Sequence, residues 1–121
     1  MIDAQSDLDG RHSEVTLASS GIGAAIATAM SPHGARVSLF APDLCRLVPF
    51  ATEFCGPARA VAAAVDVTEA DSVVAAFAAA RASLGRMDIF VNNAGITHIT
   101  KFNDTDEALW NRMLAVNLHG T

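Results

Sequence analysis

A chain of 121 residues, 51% hydrophobic and 17% charged, is too apolar for a disordered segment and suits one domain around one core. The net charge of -5 carries no basic run, so nucleic acid is not the expected partner. Apolar runs such as 60–65 and 73–80 fall short of the roughly 18 residues a membrane helix needs, and the acidic opening lacks a secretory h-region, so the expected setting is the cytoplasm, with no membrane partner.

Thr16 to Met30, "TLASSGIGAAIATAM", reads as a glycine turn feeding a helix. Ile22, Ala25, Ile26, Ala29 and Met30 recur at i, i+3, i+4, i+7 and i+8, the spacing of one helical stripe. Pro32 and Gly34 stop that helix, and "ARVSLF" at 35–40 predicts a strand ended by Pro42. Asp43 to Phe54 reads as a helix, Gly56-Pro57 as a turn, and 58–65 as a buried strand. Thr68, with Asp71 three residues on, predicts a capping box opening a helix with Val73, Val74, Phe77 and Leu84 on one face and Gly85 at its end. "MDIFVNN" at 87–93 predicts a buried strand running into a turn. Asp104 with Glu107 is the expected cap of a last helix bearing Leu109, Trp110, Met113 and Leu114, and Trp110 and Phe77 are expected in the core. Cys45 and Cys55 form no CxxC and the four histidines are dispersed, so free thiols and no metal site are expected.

Strands separated by helices of this length run parallel, because each crossover returns the chain to the same end of the sheet. The fold class predicted is therefore α/β, a doubly wound parallel sheet with helices on both faces. Ligands in such sheets bind beyond the carboxyl ends of the strands, so "LASSGIG", "FAPD", "DVT" and "NNAG" should share one rim. Residues lacking a Cβ let main-chain N–H groups approach a diphosphate, and the helix N-terminus offers it about half a positive charge, which makes Gly21 and Gly23 candidates for a phosphate cradle.

"TLASSGIGAAIA", "DVT", "NNAG" and "AVNLHGT", in that order, resemble the short-chain dehydrogenase/reductase family from "LDGR" at 8–11 to Thr121. The resemblance implies an incomplete Rossmann-like domain over 1–121 that binds NAD or NADP. It also implies roles for single residues. Thr16, Ala18, Ser19, Ser20, Gly21, Ile22 and Gly23 would form the turn bordering the cofactor's phosphates and ribose; Asp66 would accept from the adenine amino group, with Val67 contributing main-chain contact. Asn92 would meet the adenosine side and steady the central strands, Ala94 and Gly95 would leave room for the ribose and nicotinamide half, and Asn117 would be the catalytic-helix asparagine holding a water in a proton relay. From the residues alone, Asp66 could equally cap its own turn, Asn117 could face solvent, and Asn92-Asn93 could be turn formers.

Relatives of this kind exchange hydride between a nicotinamide and a small alcohol or carbonyl, using a tyrosine and a lysine beyond the asparagine helix. The chain has no tyrosine, so it is expected to be the cofactor-binding half of a longer parent, one that pairs with copies of itself. The alternative is a catalytically inactive nucleotide-binding or interaction module, or the product of a decaying gene. Two departures favour that alternative: Glu14 lies in "HSEV", where a buried central strand should be apolar, and an ionised carboxylate there costs several kcal/mol unless paired or neutralised. Leu17 stands where the family has its first glycine, and positive φ costs a branched side chain about 1–2 kcal/mol. Ala41 and Pro42 occupy the places of an acid that would select the NAD ribose diol, and Ser20 supplies no arginine for NADP, so both dinucleotides stay open.

Overall fold

A computed structural model describes residues 7–56 and 59–121. Four strands, β1 (His12–Thr16), β2 (Arg36–Ala41), β3 (Ala60–Ala64) and β4 (Ile89–Val91), form one sheet in the order β3-β2-β1-β4. Every pairing is parallel, with Val15 opposite Leu39 and Val91, and Leu39 opposite Ala62. The chain winds outward from β1 to β3 and then crosses back to β4, so the direction reverses between β1 and β4, the place where doubly wound sheets open a crevice.

Period-two alternation along β2 sends its side chains to two separate cores. Val37, Leu39 and Ala41 join Val15 of β1 on the face covered by α1 (Gly21–Met30) and α2 (Leu44–Phe50), where Ala27 and Leu47 are buried. Phe40 points the other way and packs with Val65, Ala76 and Ala80 beneath α3 (Ala70–Leu84). The predicted crossovers are therefore present, on both faces.

Several expected details change in phase. The stripe predicted for α1 is turned: Gly23 and Ala27 are buried, while Ile22 is 73% exposed, because the helix lies close to the sheet and only small residues fit between them. In α3, likewise, Ala76, Ala80 and Leu84 are buried, and Val74 faces outward. The capping box is absent: Glu69 is the N-cap and makes no side-chain cap bond, and Thr68 is engaged by Asp66 instead. Asp106, two residues after Asp104, caps α4 (Glu107–Leu114) by accepting from the Leu109 N–H at 2.7 Å. No residue of α4 is buried, and Trp110, expected in the core, is 58% exposed. Phe77 is half-buried, 5.3 Å from the Phe40 ring and 5.5 Å from that of Phe90. Among the described residues, no helix is long and apolar enough to cross a membrane. Pro57 and Ala58, parts of the expected turn and strand, lie outside the described residues.

Candidate functional site

The four loops at the carboxyl ends of the strands meet around a cavity of about 330 Å³. Thr16 and Leu17 enter it from β1, Ala41 and Pro42 from β2, Asp66, Val67 and Thr68 from β3, and Ala94 and Ile96 from β4. Arg112 and Val116, one helical turn apart, close it from α4 and the wider helical turn that follows over Ala115–His119. A parallel sheet brings together segments that are tens of residues apart in sequence, and the wall of this cavity follows from that topology.

Thr16 is the hub. Its Oγ1 accepts from the N–H groups of Asn93 and Ala94, both at 2.9 Å, and Asn93 Nδ2 donates back to the Thr16 carbonyl at 3.1 Å and to that of Leu17 at 3.4 Å. The tie between the ends of β1 and β4 thus belongs to Asn93, one residue on from the expected Asn92. Asn92 is exposed and borders a neighbouring cavity with Phe77, Phe90 and Thr121. As adjacent residues of one type, Asn92 and Asn93 carry no sequence signal that separates them, and Asn93 is picked out only by the Thr16 hydroxyl across the sheet.

The turn itself keeps the conformation its glycines allow. Gly21 has φ of 58° with nothing within 4 Å of an added Cβ, whereas a Cβ on Gly23 would stand 2.5 Å from the Leu17 carbonyl oxygen and 2.7 Å from Asn93 Nδ2. Gly23 therefore permits the close approach of α1 to the β1 loop. Ala18 is buried below the turn, its N–H donating to the Phe40 carbonyl at 3.0 Å. Ser19, Ser20 and Ile22 line the outer side of the turn and stay away from the cavity wall. Ser20 makes no side-chain cap bond and the first turn of α1 holds no acid, so the positive end of this helix is not neutralised by a cap or carboxylate of its own. Leu17 adopts φ of 51°, the left-handed conformation expected at the glycine position.

Asp66 does cap its own turn: Oδ1 accepts from the Thr68 hydroxyl at 2.6 Å and from the Thr68 N–H at 2.9 Å. These bonds, the hydroxyl's first, hold its carboxyl below the usual aspartate range, with a smaller contribution from the charge of Arg112. A carboxylate that remains ionised is an acceptor for an amino group entering the cavity. Asn117 is exposed yet occupied: Oδ1 accepts from the Ile96 N–H at 2.7 Å and Nδ2 donates to the Ile96 carbonyl at 2.9 Å. It clamps the segment after β4, and an added Cβ on Gly95 would lie 3.5 Å from Asn117 Oδ1.

Residues 12–121 match the sequence profile of short chain dehydrogenases. The chain belongs to the short chain dehydrogenase family. It is 39% identical over 121 residues to a D-threitol dehydrogenase of Mycolicibacterium smegmatis, covering 99% of this chain and 46% of that one. A galactitol 2-dehydrogenase (L-tagatose-forming) of Cereibacter sphaeroides is 40% identical, covering 93% of this chain and 44% of that one. The crystal structure of a short-chain dehydrogenase/reductase (glucose/ribitol dehydrogenase) from Brucella melitensis superposes with a TM-score of 0.90 at 31% identity, covering 96% of this chain and 49% of that one. This family member spans about half the length of the curated relatives it matches.

Proposed function

We propose that the chain is the cofactor-holding half of an NAD(P)-dependent oxidoreductase that exchanges hydride between a nicotinamide and an alcohol or carbonyl. The observation that carries this reading is the meeting of four strand-end loops around one cavity beside the uncapped start of α1. The names of two relatives, after threitol and galactitol, support a sugar alcohol as the substrate class of the whole protein.

In this reading the main chain of Ser19, Ser20, Gly21 and Ile22 takes the diphosphate, helped by the partial positive charge at the head of α1. Thr16, Ala18 and Gly23 hold that turn in shape from beneath. Asp66 accepts from the adenine amino group with its remaining lone pairs, and Val67 supports the same ring. Asn92 keeps a contact on the adenosine side, while Asn93 is the positioning residue that steadies the strands. Ala94 and Gly95 leave room for the ribose and nicotinamide. Asn117 acts first as a positioning residue, since both polar atoms of its side chain are engaged on Ile96, and any part in a proton relay falls to its main chain. When bound, the nicotinamide supplies the hydride chemistry; the chain's own residues orient it and exclude water.

Titration with NADH and NADPH, followed by nicotinamide fluorescence, tests the reading. Saturable binding is expected, several-fold weaker in Asp66→Ala, a substitution at an exposed turn that leaves the core intact. Absence of saturation for both dinucleotides up to about 1 mM, which is only about 4 kcal/mol of binding, would overturn it.

A further inference from the structure

Leu17 is the only residue other than glycine at positive φ among the described residues. Its conformation is imposed from several directions. The carbonyls of Thr16 and Leu17 both accept from Asn93 Nδ2, the Ala18 N–H is tied to Phe40, and Gly23 packs against the Leu17 carbonyl. With the atoms on either side of it fixed, Leu17 cannot turn to negative φ without breaking the link between β1 and β4. Backbone strain that persists because its surroundings over-determine it points to a functional position.

The position is also exposed to the ligand. Leu17 is half-buried and lines the 330 Å³ cavity together with Phe40, Ala41, Pro42 and Val65, apolar residues that share that lining with Asp66. Glycine in its place would keep the backbone and vacate the volume of a four-carbon side chain. Leucine gives up both conformational ease and space.

We propose that Leu17 is a specificity-determining residue that partly fills the adenosine end of the cavity, so that adenosine-bearing ligands are held more weakly than the turn itself would allow. The inference rests on the dinucleotide reading above and adds to it which half of the ligand is penalised. It predicts an effect confined to ligands that carry adenosine.

The test uses three versions of the 121-residue chain, wild type, Leu17→Gly and Leu17→Ala, titrated calorimetrically with NADH, ADP-ribose and nicotinamide mononucleotide, with thermal midpoints measured in parallel. Leu17→Gly is expected to tighten NADH and ADP-ribose about ten-fold and to leave nicotinamide mononucleotide unchanged. Leu17→Ala removes bulk but keeps a Cβ at positive φ, so it should gain affinity for the same two ligands without the rise in midpoint that Leu17→Gly shows. Equal or weaker NADH binding in Leu17→Gly, with wild type binding well, overturns this inference and leaves the dinucleotide reading standing. A gain shared by nicotinamide mononucleotide also overturns it, because the effect would then be one of turn strain and not of adenosine space. No binding of any of the three ligands by any version overturns both.

Discussion

The two faces of this sheet are made differently. Under α1 and α2 the core is mostly apolar: Val15, Val37, Leu39 and Leu47 are fully buried among alanines, and the fully buried Ser13 donates from its hydroxyl to Met30 Sδ at 3.2 Å. On the α3 face, β1 and β2 place His12, Glu14 and Ser38, also fully buried, next to Phe40. The Gly85 carbonyl accepts from His12 Nδ1 at 3.0 Å, and Nε2 shares a hydrogen bond of 2.8 Å with the Ser38 hydroxyl. Glu14 Oε1 lies 3.8 Å from the same Nε2, too far for a hydrogen bond, and Oε2 has no partner. Burial pushes the Glu14 carboxyl up from its ordinary value. The difference teaches that a parallel sheet tolerates a cluster of polar residues on one face when the other face is mostly apolar; among the described residues, Glu14 Oε2 and Arg36 Nε are the buried side-chain atoms left without a hydrogen-bond partner.

Neighbouring positions on β2 give the largest test of that comparison. Phe40→Ala should lower unfolding free energy by about 3–5 kcal/mol and Leu39→Ala by about 2–5 kcal/mol, measured by urea denaturation. Because their side chains enter separate cores, the double variant should be close to additive; a coupling well above about 0.5 kcal/mol would show that the two faces are not independent. The next effect has the opposite sign. Glu14→Leu fills the same space with an apolar side chain and should stabilise the chain by about 1–4 kcal/mol, and a loss of stability would mean that Glu14 has a partner in solution.

The same residue sets a pH dependence. Its folded pKa is raised above its unfolded value near 4.5, so the folded state holds the proton more tightly. The stability linked to that proton is full below about pH 4.5 and is lost as pH rises through the folded value. Asp66 and Asp88 are held below their ordinary 3.8, Asp66 chiefly by the Thr68 hydroxyl and Asp88 chiefly by the His12 N–H, and their contributions fade as pH falls beneath that value. Melts across the range from pH 4 upward should therefore show a decline that disappears in Glu14→Leu.

Much of this plan could be read before any coordinates. The glycine turn, the strand at 35–40, the crossovers and the shared rim are set by turn chemistry and chain topology, which are local or combinatorial. Leu17 at positive φ and Glu14 in the core were both legible as faults, since each breaks a rule of its element. What the sequence hid is phase. In an alanine-rich helix, periodicity identifies stripes but not which one meets the sheet, and here close approach chooses Gly23 and Ala27 over Ile22. Asn93 and Asn92 are equivalent as residue types; only the Thr16 hydroxyl across the sheet distinguishes them. Trp110 looked like core because size and apolarity favour burial, yet α4 presents no buried residue at all.

The smallest expected effect separates α3 from α4. α3 has no side-chain cap and is held by Ala76, Ala80 and Leu84 against the sheet; α4 has no fully buried residue, only the half-buried Leu109 and Met113, and is capped by Asp106. A helix of eight residues is marginal by itself, so without packing its first turn depends on that cap. Asp106→Ala should cost about 1 kcal/mol, and the loss should be local. Amide exchange should quicken at Leu109 and its neighbours in α4 while protection in α3 and the global urea midpoint barely move. A matching drop in the global midpoint would instead mean that α4 unfolds together with the sheet, and that it is coupled to the sheet more strongly than its packing implies.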